Sequence, residues 1–252
     1  MRALLLAAGI GSRLRPITDT IPKCLVPIHG RALLDYWFDL LTPAGVGPVL
    51  INTHYLPDAV RGHVAQAPYR EQVTLVHEDE LLGTGGTIHA NAGFFGREPF
   101  LVAHADNLTR FDMQGLEAVH RARPPGFAIT MLAFETDDPR SCGILEFEEP
   151  AAPGRAGIVK AFHEKVENPP GNLANAAVYI LEPEVLDFLA SLGKPVIDLS
   201  TEVIPHFVGR IQAVSLATYH RDIGNVESLR RAHEEFVPSH VKSSSAAADS
   251  AG

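Results

Sequence analysis

Short apolar runs alternate with helix-like stretches through the first half of the chain, and no other feature restricts its fold as tightly. The runs cover residues 3–7, 49–52, 73–77 and 100–103, with a helical pattern over residues 32–41 after the first. Four or five apolar residues in a row suit a strand covered on both faces, and strands spaced by helices give βαβ units around a parallel sheet. Within the first helix Leu33, Trp37, Leu40 and Leu41 share one face while Arg31, Asp35 and Asp39 lie elsewhere, so Trp37 reads as core. After Gly126 the texture changes to strand-like segments at residues 129–134, 144–147, 158–162 and 176–181, separated by proline and glycine clusters. That half is expected to be more antiparallel, a subdomain or a lid beside the same sheet. Helices over 183–192, 201–207 and 226–236 and a strand over 211–216 complete the expectation. The stretch 238–252 is small, polar and core-free, and reads as a disordered tail.

Charge narrows the partners. With 21 basic and 30 acidic side chains the net charge is −9, a field that repels nucleic acid. No apolar run reaches the roughly 18 residues a membrane span needs, and the N-terminal run, ended by charge and proline, suits a buried strand better than an export signal. Cys24 and Cys142 stand in no metal or redox spacing, which fits a reducing compartment, so a cytoplasmic protein with no membrane or nucleic-acid partner is expected.

The segment L-A-A-G-I-G-S-R-L-R-P, from Leu6 to Pro16, places a glycine-rich turn directly after a strand, where α/β sheets present backbone N–H groups to phosphate. It matches neither a dinucleotide fingerprint, which would need Gly or Ala at Leu14, nor a P-loop. Arg13, Arg15 and Lys23 around this one turn, in an acidic protein, suggest a local anion site; solvated surface arginines are the plain alternative. Asp106 ends the run F-L-V-A-H-A-D, which puts a carboxylate at the mouth of a strand.

The run G-I-G-S-R-L-R-P-I-T-D-T-I-P-K-C-L-V-P-I, from Gly9 to Ile28, resembles the signature of the sugar-phosphate nucleotidyltransferases, also called nucleotide-sugar pyrophosphorylases. Family-like pieces follow in order: L-L-G-T-G-G from Leu81, H-A-D-N from His104, F-H-E-K-V from Phe162, N-A-A-V-Y-I-L from Asn175 and R-D-I-G-N from Arg221. The resemblance implies a Rossmann-like α/β fold, a mixed and mostly parallel sheet with helices on both faces and a smaller antiparallel sugar-binding portion. Residues 1–237 would form one domain, 1–126 mainly nucleotide-binding and 127–237 mainly sugar-binding, in the short form that lacks a C-terminal hexapeptide-repeat domain.

The implied reaction is attack of a sugar 1-phosphate oxygen on the α-phosphorus of an NTP, expelling pyrophosphate. Its nucleophile is already anionic, so the protein mainly positions anions and offsets charge, and no dedicated base is needed. By resemblance Arg13, Lys23 and Asp106 are catalytic: Arg13 at the leaving pyrophosphate and Lys23 at the α-phosphate or the attacking phosphate. Leu6, Ala8, Gly9, Gly11, Ser12, Glu78, Gly83 and Thr84 join Arg13 and Lys23 in binding nucleotide. Glu78 could accept from guanine or simply face water, and Gly85 and Gly86 could be a plain helix-start turn. Asn107, Gly143, Glu164, Lys165 and Asn175 would bind the sugar phosphate. Asp106 and Asp222 would hold Mg²⁺, the implied cofactor, as hard oxygen ligands. His104 and His220 beside them invite a transition-metal reading, against which packing or hydrogen bonding is the commoner role.

Several positions depart from the usual pattern: Ser12 for threonine, Cys24 for proline, Ala105 for glycine and Ala177 for glycine, none removing a charged group. The turn at Leu81 leans toward guanylyl transfer to mannose or heptose 1-phosphate; uridylyl or thymidylyl transfer to a hexose 1-phosphate is the alternative. A silent regulatory relative would be expected to lose Arg13, Lys23, Asp106 or Asp222, and a glycosyltransferase would want a D-x-D pair, which H-A-D-N lacks. A homo-oligomer is compatible with the family.

Overall fold

The computed structural model describes residues 1–149 and 154–238, so the tail expected over 238–252 lies, from residue 239 onward, outside the described residues. From the N-terminus the elements are β1 (Ala3–Leu6), a glycine loop with short 3-10 turns, the hairpin strands β2 (Pro27–Ile28) and β3 (Arg31–Ala32), α1 (Leu33–Leu41), β4 (Val49–Thr53), α2 (Pro57–Gln66) and β5 (Val73–His77). Next come α3 (Gly83–Ala90), α4 (Ala92–Phe95), β6 (Phe100–His104), β7 (Asn107–Phe111), α5 (Met113–Arg121) and β8 (Ile129–Glu135). The remainder is β9 (Gly143–Phe147), β10 (Gly157–Glu164), β11 (Leu173–Leu181), α6 (Glu184–Ser191), α7 (Ile204–Phe207), β12 (Ile211–Ser215), β13 (Ala217–Asp222) and α8 (Val226–Glu235).

Nine strands make one mixed sheet in the order β5-β4-β1-β6-β11-β8-β12-β10-β9. The first four are mutually parallel, whereas β11 runs antiparallel to β6 and β8, and β10 runs antiparallel to β9 and β12. The second half is therefore more antiparallel, as its proline-broken texture indicates, and it extends the same sheet.

Alternation along the strands feeds two separate cores. On one face Leu5, Ile51, Leu101 and Ile180 meet Trp37 and Leu41 of α1, Val60 of α2 and Leu116 of α5. On the other, Leu4, Leu50, Val102 and Tyr179 meet Ile88 of α3, Leu189 of α6 and Phe207 of α7. Helices thus cover both faces, which explains why β1 reads A-L-L-L with no polar alternation. Trp37 is core, as its helical face implies, at 1% exposure.

Three features depart from the pattern reading. The helix expected over 201–207 is split: Leu199–Val203 forms a wide π turn before α7, because Pro205 has no N–H to donate one turn back. Helices α2, α4 and α5 escape notice, and α3 is anticipated only as the helix start that Gly85 and Gly86 could form, because its glycines argue against a helix. Strands β7 and β13 form a separate antiparallel ribbon with Asp222 opposite Asn107. A third cluster, including Leu14, Ile28, Tyr36, Leu108, Leu229 and Phe236, packs α8 and the β2–β3 hairpin around that ribbon.

Candidate active site

From β1 the parallel order proceeds to β4 and β5 on one side, then returns to β6 on the other, so the switch in direction lies between β1 and β6. Chains leaving the ends of adjacent strands diverge there and open a crevice. The glycine loop leaves β1 and Asp106 follows β6, so both stand at that crevice.

The loop is held open from within. Gly11 adopts φ +68, and a Cβ on it would lie 2.9 Å from the Thr18 methyl and 3.3 Å from Lys23 Cβ. Its carbonyl accepts from Thr18 Oγ1 at 2.7 Å and from the Leu14 N–H at 2.9 Å. Gly9 has open space around it, Ala8 is buried beneath, and Ser12 and Arg13 are exposed. The Arg13 guanidinium reaches Gly224, just past Asp222, where it lies 3.2 Å from a Cβ built on that glycine. Arg15 forms an exposed pair with Asp19 at 3.3 Å, so only two of the three cations of the motif, Arg13 and Lys23, are placed beside Asp222.

Lys23 and the two aspartates form the centre. The Ala105 N–H donates to the Leu6 carbonyl at 3.0 Å, carrying the β6–β1 ladder one step past the strand. The β7–β13 ribbon then brings Asp222 back, and the Ile223 N–H donates to the Asp106 carbonyl at 3.1 Å. The Lys23 ammonium donates to Asp106 Oδ2 at 2.5 Å and to Asp222 Oδ1 at 3.0 Å. Burial disfavours the charged ammonium, but the two carboxylates outweigh it and hold the Lys23 pKa above its ordinary value. Burial likewise opposes the Asp106 carboxylate, and Lys23, with help from His104, holds its pKa below the usual range. Hard oxygen donors on two aspartates that share one cation fit the one or two carboxylates Mg²⁺ takes from a protein. His220 packs on Phe134 at 4.1 Å with Nδ1 buried and unpartnered among the described residues, and burial pushes its pKa down to about 3. Among those residues no group of three or more His, Cys, Asp or Glu side chains is arranged to hold a metal. Cys24 is buried in the core behind Lys23, its thiol pushed up to about 12 by that burial.

The stretch expected to face the nucleobase differs from the sequence expectation. Glu78 is neither in water nor open: Oε1 accepts from Asn52 Nδ2 at 2.9 Å and from Thr87 Oγ1 at 2.6 Å. Asn52 Oδ1 in turn accepts from the Ala7 N–H at 2.8 Å, so one buried amide ties the start of the glycine loop to the end of β5. Gly83, Gly85 and Gly86 open α3, and their missing Cβ atoms admit Ile197 and Pro195: a Cβ on Gly83 would lie 2.5 Å from the Ile197 carbonyl, one on Gly86 2.2 Å from that of Pro195. The Gly85 and Gly86 N–H groups donate to the Ile197 carbonyl, and Thr84 Oγ1 accepts from the Leu199 N–H at 2.8 Å. The close approach that Gly83 permits is therefore to this chain's own backbone, and the plain helix-start alternative describes Gly85 and Gly86.

On the other flank β9 and β10 set Gly143 opposite Glu164. A Cβ on Gly143 would lie 2.4 Å from the Phe162 ring and 2.6 Å from Glu164 Oε2. Lys165 pairs with Glu164 at 3.2 Å and is exposed. Asn175 spends its amide on a bulge in β11, accepting from the Ala177 N–H at 2.9 Å and donating to Tyr179 Oη at 2.7 Å. Asn107 is buried and donates to the Ala176 carbonyl at 3.3 Å. Gly143, Glu164 and Lys165 are thus brought together, while Asn107 and Asn175 shape the backbone beside them.

Asn52 and Thr87 escape the sequence reading, although a polar N-T pair ending an otherwise apolar strand was a signal for Asn52. A groove of about 850 Å³ between α1 and α2 holds Asp35, His63 and Tyr69, and His63 and Tyr69 both hydrogen-bond Asp35.

A family model described as nucleotidyl transferase matches residues 2–238. The chain is 30% identical to mannose-1-phosphate guanylyltransferase of Mycobacterium tuberculosis over 93% of this chain and 64% of that protein. It is 28% identical to mannose-1-phosphate guanyltransferase 2 of Candida glabrata over 93% of this chain and 67% of that protein, so it spans about two thirds of the length of these relatives. Among solved structures, HddC from Yersinia pseudotuberculosis complexed with GMP-PN superposes with a TM-score of 0.75 at 25% identity, covering 94% of this chain and 99% of that one.

Proposed function

This chain belongs to the nucleotidyl transferase family, and on that premise we propose that it transfers a nucleotidyl group from an NTP to a sugar 1-phosphate, giving an NDP-sugar and pyrophosphate. The observation that carries the reading is the meeting of Lys23, Asp106 and Asp222 at the switch point, beside a glycine loop that bears an exposed Arg13. The guanylyltransferase relatives support GTP as donor and mannose 1-phosphate as acceptor; heptose 1-phosphate is the second acceptor that the turn at Leu81 suggests.

Each group has a task that follows from charge and position. The open backbone of Ala8 to Ser12 offers N–H groups to the triphosphate, and Gly9 leaves room for it to approach. Arg13 has a planar fork of donors that suits the leaving pyrophosphate, whose charge grows as the bond breaks. Lys23 supplies a point charge near the α-phosphate, where the five-coordinate phosphorus gathers charge. Asp106 and Asp222 would hold Mg²⁺, which neutralises phosphate charge when bound. Glu164 and Lys165 present an acceptor and a cation on the opposite flank, as a sugar with hydroxyls and a phosphate requires. No side chain has to remove a proton, because the attacking phosphate oxygen is ionised at neutral pH.

Pyrophosphate release from GTP, UTP, dTTP, CTP and ATP, each with mannose, glucose, N-acetylglucosamine and heptose 1-phosphates and Mg²⁺, tests the reading. Strong release with GTP and mannose or heptose 1-phosphate is the expected result. Release only with UTP or dTTP would overturn the choice of base, and none with any pair would overturn the activity.

A further inference from the structure

We propose that Asn52 and Thr87 are positioning residues for the nucleotide: with Glu78 they form a buried polar knot that ties the root of the glycine loop to the turn that opens α3. This role rests on the nucleotidyl-transfer reading and adds to it two residues that act from behind the loop. β1 and β4 pair in parallel as far as Leu6 beside Asn52, and one residue further on the Ala7 N–H donates to Asn52 Oδ1 at 2.8 Å. The other end of the same amide, Nδ2, donates to Glu78 Oε1 at 2.9 Å and to Thr87 Oγ1 at 3.3 Å, while the Thr87 hydroxyl donates to Glu78 Oε1 at 2.6 Å. Turning the amide over would set donor against donor at Ala7 and acceptor against acceptor at Glu78, so its oxygen is committed to the loop.

Stability alone gives no reason for such a knot. Leu50, two residues before Asn52 on the same face, and Ile88, next to Thr87, belong to an apolar core. The partners of the Glu78 carboxyl among the described residues are all uncharged: Asn52, Thr87 and the Leu82 N–H, 3.4 Å from Oε2. A carboxyl buried without a cation costs stability that apolar side chains of similar size would not. Polar groups kept at such a cost, at the ends of parallel strands where open α/β sheets bind ligands, mark a task beyond holding the fold. Here the task is the loop. Ala7 is where the chain leaves β1, Thr18 holds the loop again through the Gly11 carbonyl, and between these two ties a Cβ on Gly9 would meet nothing within 4 Å. With the root untied the loop would swing, and its N–H groups would have to be ordered each time a triphosphate bound. Because Thr87 lies on α3, the same knot keeps the Gly83 turn in one frame with the loop.

Hydrogen exchange of the full chain, and steady-state kinetics with the nucleotide and sugar phosphate that support turnover, test this. In Asn52→Ala, deuterium uptake should rise over residues 7–15 and 78–87 and stay at the wild-type level over β8 and β12. The KM for nucleotide should rise at least about tenfold, the effect of a hydrogen bond lost with its buried partner left unpaired, while kcat and the KM for sugar 1-phosphate stay within about twofold. Thr87→Val should act in the same direction, and Thr87→Ser, which keeps the hydroxyl, should restore the wild-type KM. Asn52→Asp sets two buried carboxyls against each other and should also raise uptake over 7–15; adding Glu78→Gln returns a donor between them and should lower it again. Thermal melts check that every variant is measured folded. Unchanged uptake over 7–15 in Asn52→Ala, or no recovery in the double variant, would overturn the proposal, as would KM values for the two substrates that rise together. A wild type that turns over no nucleotide would overturn the activity, and exchange would still decide whether Asn52 tethers the loop.

Discussion

Asn175 Oδ1 accepts a hydrogen bond from the N–H of Ala177 at 2.9 Å and so pins a bulge in which Ala177 stands at φ +52. That conformation costs an L-residue about 1–2 kcal/mol, while glycine adopts it freely but loses more chain entropy on folding. Ala177→Gly should therefore stabilise the protein by about 1 kcal/mol, read as a higher urea midpoint at unchanged slope. A lower midpoint would show that the Ala177 methyl contributes more by packing than its backbone costs.

Asp106→Asn keeps the shape of the side chain and removes its charge. Turnover should fall at least about a hundredfold, because a charge-stabilising group at the phosphates is lost, while the circular dichroism spectrum stays that of the folded protein. Pyrophosphate release and circular dichroism on the same preparation decide it; retained activity would remove Asp106 from the mechanism.

The glycines of the two turns should separate by phenotype. Gly86→Ala drives a methyl against the Pro195 carbonyl at 2.2 Å and should cost about 1–3 kcal/mol of stability. Gly9→Ala meets nothing within 4 Å and should change stability by less than about 0.5 kcal/mol, while raising the KM for nucleotide at the open loop. Equal losses of melting temperature in the two variants would contradict this division.

Acid sensitivity should trace in part to His120. It is buried between Thr130 and Glu182, and burial, with Arg123 nearby, pushes its pKa down to about 4 from 6.5. Between those values the unfolded chain binds the proton and the folded one does not, so stability present above pH 6.5 is lost as pH falls toward 4. The slope from this one group approaches about 1 kcal/mol per pH unit, offset at the acid end by Glu182, whose pKa burial raises. His120→Gln should flatten the fall in melting temperature between pH 6.5 and 5; an unchanged slope would assign the effect elsewhere.

The strands of the parallel half are legible because a doubly covered strand must be largely apolar: β1 is apolar throughout, and β4 and β6 each open on an unbroken apolar run before a polar end. The motif from Gly9 to Ile28 is legible because anion binding after a strand requires small residues and cations close together in the chain. Glu78 is not legible as a buried carboxylate: what removes it from water is Asn52 on β4 and Thr87 on α3, and neither is its sequence neighbour. The ribbon of β7 and β13 hides for a related reason, since strands of mixed polarity such as N-L-T-R-F and A-T-Y-H-R-D carry no strong period.

What the sequence alone determined, then, is the α/β class, the glycine turn with its cations and the residue types that a phosphate site needs. These are local properties, written in the spacing of neighbours along one strand or loop. Only the tertiary structure decided that Lys23 faces Asp106 and Asp222 and that Gly83 makes room for Ile197. Those pairings depend on which strands lie side by side, and strand order is set by how the two apolar faces of the whole sheet are covered, a choice that no single segment encodes.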